Sequence, residues 1–281
     1  MLNHHFTNKR EARRKCESLE SHFEDCLQDV TQHPDLIYAL LDTSRRVTGY
    51  KCILDPQAED ALTWDSFQSS KDIAMAVFKA VGATEFSAHG VVAEGIAIAR
   101  GSASSTDVSA DRWLDTLWMA LACRDDQALD ALCSIPTDWL RSSSQAALSE
   151  YFFFWVDAMK SYLRQGQDFL GLLNRAMEAT DPDHLEGTAE HALKVAFPSM
   201  KLLYHLALDE QLEFQESLTM AVDLHQSFWS TDEEASASAL GFVARGPLAY
   251  ASLAYDAGMG EMSIPTYVPA GLVTGRWLSA A

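Results

Sequence analysis

The chain has 281 residues, 48% of them apolar and 22% charged, with a formal net charge of −19, so there is ample material for a buried core. A field this one-sided repels nucleic acid and anionic membrane and attracts cationic proteins, so direct nucleic-acid binding and membrane binding are not expected. No apolar run reaches the roughly 18 residues a bilayer span needs, and residues 1–20 pass straight into a charged helical pattern without an export segment, which points to a cytoplasmic protein.

Strand signals are sparse, and Gly and Pro punctuate helical periods. Residues 9–30 read as a first amphipathic helix, and His33-Pro34 opens a second through Val47 with Thr48-Gly49 as its stop. After a loop at 53–57, helices are predicted over 59–67, 70–81 and 85–100. Gly101-Ser-Ala-Ser-Ser-Thr-Asp107 is low in complexity and reads as a linker over 101–108, between an N-terminal helical section (1–100) and a helical array (109–281). Its shortness argues for one composite domain.

Beyond the linker the pattern becomes rhythmic. Ser109 caps a helix through Cys123, and Asp125-Asp126 opens a short one to Cys133. A second pair spans 145–165 and 167–179, broken at Gly166, and Asp181-Pro182 opens a third group. The fold class expected is all-α, an irregular array of antiparallel helical hairpins around one core, loosely tetratricopeptide-like but without that repeat's fixed period or signature. Tyr151-Phe-Phe-Phe-Trp155 covers more than a helical turn, so its helix is either buried on both faces or partly an exposed contact patch; central burial is the favoured reading.

The sequence holds no recognisable catalytic pattern. No nucleophile elbow, phosphate loop or dinucleotide loop occurs, and His-Glu-x-x-His is absent. His184 and His191, seven apart with Glu190 beside the second, do not enclose a metal, and His225 falls on the apolar line Phe214, Leu218, Ala221, His225, Phe228 as a hydrogen-bonded core histidine. The cysteines Cys16, Cys26, Cys52, Cys123 and Cys133 lack metal-ligand spacing and read as reduced packing thiols. No cofactor and no metal are expected.

Charge is concentrated in one region. Residues 1–56 hold 8 Lys/Arg against 9 Asp/Glu, whereas residues 177–240 hold two basic residues, Lys194 and Lys201, against thirteen acidic ones. On a helix expected over 209–229, Asp209, Glu213, Glu216 and Asp223 fall on one side, opposite the apolar line. Like charges so spaced cost a few tenths of a kcal/mol per pair, and no intrahelical base relieves them, so a partner explains the stripe better than stability does. Asp181, Asp183 and Glu186 before it, and Asp232, Glu233 and Glu234 after it, extend the candidate surface, although the last three also suit a helix N-terminus.

The chain closes with a nearly all-apolar stretch, Ser238 to Gly260, that reads as one helix ended by Gly258 and Gly260; its part G-P-L-A-Y-A-S-L-A-Y-D-A-G over 246–258 is followed by Tyr267-Val-Pro269. A helix apolar on almost every side belongs inside a helical protein. The pattern resembles the immunity protein 49 family of bacterial toxin-neutralising proteins over about residues 110–275. That family typically has D-R-G where this chain has Asp256-Ala-Gly258, and often an acid before its Y-L-P where Thr266 stands here. The resemblance implies a non-catalytic cytoplasmic inhibitor paired with a secreted polymorphic toxin. With the acidic stripe, it favours a cationic nuclease as that toxin, masked by an electrostatic imitation of its substrate; a deaminase or an NAD-consuming toxin stays open. The alternative is a helical-repeat scaffold that binds a peptide or partner helix in a groove.

Overall fold

The computed structural model describes residues 4–82, 92–93, 96–97, 108–143, 148–185 and 187–278. Helix α1 (Lys9–Val30) starts where Asn8 accepts the Glu11 N–H at 3.1 Å. A 3-10 turn at Pro34–Leu36 leads into α2 (Ile37–Leu54), which runs through Gly49 rather than stopping there. A Cβ at position 49 would lie 2.2 Å from the Ala239 carbonyl oxygen, so this glycine serves a close approach between distant segments and not a helix end.

The two helices expected over 59–67 and 70–81 are one, α3 (Ala61–Ala80), capped by Asp60. Ser70, the expected start of the second, bonds to α2. Ser70 Oγ lies 2.9 Å from Thr48 Oγ1 and donates to Ser44 at 3.2 Å, and Thr48 donates to the Ser66 carbonyl at 3.0 Å. Small hydroxyls that satisfy one another let the two helices pack closely.

Most of the helix expected over 85–100 lies outside the described residues. Within it, β1 (Val92–Ala93) and β2 (Ile96–Ala97) pair antiparallel, Val92 opposite Ala97 and Ala93 opposite Ile96. The β-branched Val92 and Ile96 favour the extended form over the helical period read there. The predicted linker at 101–107 is likewise outside the described residues.

Helix α4 (Ala110–Cys123) ends on Arg124 in the left-handed region, φ +52°. Asp125 caps α5 (Asp126–Ser134), accepting the Ala128 N–H at 2.9 Å. Helix α6 (Thr137–Ser143), which follows Pro136, has no counterpart in the sequence reading. Then come α7 (Glu150–Leu163) and α8 (Phe169–Glu178). The short α9 (Ala189–His191) passes through a π turn at Ala192–Ala196 into α10 (Phe197–Ala207). Pro198, two residues beyond that turn, has no N–H to donate to a regular α ladder. Helices α11 (Gln211–Trp229), α12 (Glu233–Ala237), α13 (Arg245–Asp256) and α14 (Ala270–Val273) complete the order.

The fold is all-α. Neighbours in sequence pack on one another, α1 on α2, α2 on α3, α7 on α8, α10 on α11, while α13 lies across α4, α10 and α11. One apolar cluster runs from Val30 to Val273. The aromatic run is central to it: Tyr151, Phe153 and Trp155 are buried, and the half-buried Phe154 is covered by the Arg175 guanidinium 4.4 Å from its ring centre. In α13 the Tyr250 hydroxyl accepts the Trp155 indole N–H at 3.2 Å and the Trp118 N–H at 3.5 Å.

Candidate functional site

Helix α11 owes its position to the apolar line read in the sequence. Phe214, Leu218, Ala221 and His225 are buried, and His225 Nε2 lies 2.9 Å from the Gly241 carbonyl oxygen, a core histidine as expected. Burial lowers its pKa to about 3, so it is neutral at physiological pH.

The opposite side of α11 is exposed. At about 100° per residue, Leu212, Asp223, Glu216, Met220 and Glu213 fall within roughly one 100° arc, and all five are exposed, Leu212 at 77% and Met220 at 51%. Asp209 is exposed too but does not belong to the helix. It sits at φ +57° in the turn between α10 and α11, with Glu210 as the N-cap residue, so no helical i,i+4 relation links it to Glu213. The short connection places one residue in the left-handed region, and Asp tolerates that conformation better than most. Among the described residues, Asp209, Glu213, Glu216 and Asp223 form no ion pair, whereas Glu210 lies 2.7 Å from His205 Nδ1.

The sequence reading missed the two apolar members of this face. Leu212 and Met220 stand four residues before and after Glu216 and so share its side of the helix; that spacing was the available signal. Together they make a face of three carboxylates around two large apolar side chains, a composition suited to a protein partner rather than to water alone.

The flanking acids have local employment. Asp181 Oδ1 accepts the Asp183 N–H at 3.0 Å at the start of a 3-10 turn, and both side chains are exposed. Asp232 caps α12 by accepting the Ala235 N–H at 2.8 Å, with Glu233 and Glu234 in the favourable first turn. Glu186 lies outside the described residues. The loop acid Asp125 is half-buried and ion-paired with Lys71, so it is committed to the fold.

Among the described residues, the other reactive groups are not brought together. Cys16, Cys52, Cys123 and Cys133 are buried and burial pushes their thiols up, Cys16 to about 11 and Cys123 to about 12, which leaves them protonated and poor nucleophiles. Cys26 lies 3.5 Å from His22 Nε2, but partial burial followed by Asp29 and Asp25 also raises its pKa. His191 packs on Phe152 with its Nδ1 3.0 Å from the Tyr151 hydroxyl, and no group of potential metal ligands gathers among the described residues. No helix there is long and apolar enough to cross a membrane.

The closing motif is a clasp. Asp256 takes a bidentate pair from Arg124, at 3.0 and 3.1 Å, while the same guanidinium donates to the carbonyls of Ala122, Leu272 and Val273. Tyr267, at φ +77°, accepts the Ala244 N–H at its carbonyl, and its hydroxyl accepts the His5 N–H at 2.9 Å. These residues hold the two chain ends against α4 and α13, which is why the motif is built of packing groups rather than ligands.

Fold and surface together define an all-helical protein with an exposed acidic and apolar helix face. The sequence model of the family described as immunity protein 49 matches residues 55–272, and the chain belongs to that family. Immunity proteins are generally non-catalytic and each has a cognate toxin partner. No curated protein and no solved structure matches the chain.

Proposed function

We propose that this chain neutralises a cognate secreted toxin by laying the outer face of α11 over a cationic active-site groove, and that the toxin is a nuclease. The observation that carries the reading is the exposed arc of Glu213, Glu216 and Asp223 around Leu212 and Met220, none of the acids ion-paired among the described residues. A groove built to hold phosphates is lined by Lys and Arg, and a carboxylate face imitates its substrate while the two apolar side chains supply contact area. Asp209, Asp181, Asp183, Asp232, Glu233 and Glu234 form the surrounding acidic field that speeds encounter. The protein itself performs no reaction in this reading and acts in the cytoplasm, where it meets the toxin.

The test is the double substitution Glu213→Lys/Glu216→Lys against the toxin encoded in the adjacent reading frame. Both side chains are exposed, so the melting temperature should hold. Association should slow and its salt dependence flatten if the carboxylates sit at a rim; a carboxylate buried against Arg or Lys would cost about 2–5 kcal/mol, mainly through faster dissociation. A folded double mutant with parental affinity and parental salt slope would remove α11 from the interface. A neighbouring product that is not toxic, or killing that persists with this protein in excess, would end the immunity reading for this pair.

A further inference from the structure

A cavity of about 210 Å³ opens at the start of α13, among α2, α4 and the aromatic wall of Trp118 and Phe152. It is a basic place in an acidic protein. Arg45 from α2 and Arg245 from α13 both reach one carboxylate, that of Asp115: Arg45 Nη2 is ion-paired with Oδ2, and Arg245 Nε lies 3.0 Å from Oδ1. Two guanidiniums share a single counter-charge there, and Arg112 and Asp111, which also line the cavity, add one charge of each sign. The charged groups lining the cavity therefore carry one positive charge in excess, although the whole chain carries −19.

Three further observations say what would fill it. Arg45 is largely buried, and its Nε is sequestered from solvent with no hydrogen-bond partner. An unanswered donor on a buried cation is costly, and an anion that reached it would answer both the donor and the charge. The first turn of α13 lines the same space through Arg245, Gly246 and Pro247; its N-cap Ala244 supplies no side-chain acceptor and its first turn has no acid. The positive end of a 12-residue helix is thus left bare. At Gly246 a Cβ would meet Ser199 Oγ at 3.1 Å and Trp118 at 3.5 Å, so a larger residue there would crowd this wall of the cavity. Burial is the main cause that lowers the Arg45 pKa; Asp115 opposes it, Arg245 and Arg112 add to it, and Asp111 opposes it in turn.

We propose that this cavity is a binding site for a small anion bearing a carboxylate or phosphate group, held by Arg45, Arg245 and the N-terminus of α13. The volume is below the roughly 300–1,000 Å³ of sites for drug-sized ligands, so the occupant is compact. Planar, fork-shaped guanidinium donors suit the paired oxygens of either group. The anion also closes the charge balance that ties α2, α4 and α13 together, so its binding stabilises the fold by linkage. This site is independent of the toxin-binding reading, and its test needs no toxin.

Calorimetric and thermal-shift titrations of the intact protein with inorganic phosphate and with succinate, each against sodium chloride at equal ionic strength, should show saturable binding and a rising melting temperature for at least one anion. Arg45→Gln should weaken that binding at least tenfold. Asp115→Asn, which removes the competing carboxylate and keeps both guanidiniums, should tighten it. Where either variant fails to fold, a crystal structure of the parent grown with the binding anion locates it: density within hydrogen-bond reach of Arg45 Nε supports the site, and water alone there refutes it. Absence of any saturable response beyond chloride overturns the proposal. So do folded variants that both respond as the parent does, because the anion then binds elsewhere.

Discussion

Replacing Tyr250 by Phe tests whether the two tryptophans and α13 form the polar joint at the centre of the core. The hydroxyl accepts Trp155 Nε1–H at 3.2 Å and Trp118 Nε1–H at 3.5 Å, and faces Met159 Sδ at 3.4 Å; Trp155 and Tyr250 are fully buried. Phe keeps the ring and removes the acceptor. The Trp155 N–H is then buried and unsatisfied, which costs about 1–3 kcal/mol, while the longer Trp118 bond, from a half-buried side chain, adds little. We take about 2 kcal/mol. At roughly 2.1 cal/mol/K of unfolding entropy per residue, a chain of this length should lose about 3–4 °C in melting temperature. Calorimetry on Tyr250→Phe, Trp155→Phe and the double variant gives the coupling: the second change should cost at least about 1 kcal/mol less in the background of the first, since the orphaned donor is then gone. A Tyr250→Phe protein that melts with the parent, or two changes whose costs simply add, would refute the assignment of this hydroxyl as the acceptor.

Acid should destabilise the protein before its carboxylates titrate. His225 and His4 have folded pKa values of about 3 and 4 and His5 is also lowered, in each case by burial first, against 6.5 when unfolded. The unfolded chain therefore binds more protons below pH 6.5, and stability present above that pH is lost as pH falls toward 4, by about 2 kcal/mol at pH 5 from His225 alone. A denaturation midpoint that is flat between pH 7 and pH 5 would contradict this, and His225→Asn should reduce the slope. Gly49→Ala should destabilise because its Cβ meets the Ala239 carbonyl at 2.2 Å, whereas Gly171→Ala, in α8 with nothing within 4 Å, should stabilise by about 0.5–1 kcal/mol. Equal melting shifts for the two would show that helix propensity alone governs both.

Much of this molecule follows from its sequence because helix periodicity and capping are local. The bounds of α1, the Asp125 cap of α5, the buried line from Phe214 to His225 and the exposure of Glu213, Glu216 and Asp223 all depend on residues within a few positions of one another. The closing motif could be read as a family resemblance without its geometry. Tertiary structure decided the rest, because the deciding partner lies far along the chain. Gly49 looked like a helix stop until Ala239 approached it, and α3 read as two helices until Ser70 met Thr48 and Ser44 of α2. Asp209 lies outside the acidic helix, in the left-handed region of the turn between α10 and α11. Arg45, Asp115 and Arg245 come from three helices, and no period in the sequence announces that they share a cavity. A local pattern fixes which face of a helix is apolar; which distant charge that helix must answer is set only when the helices meet.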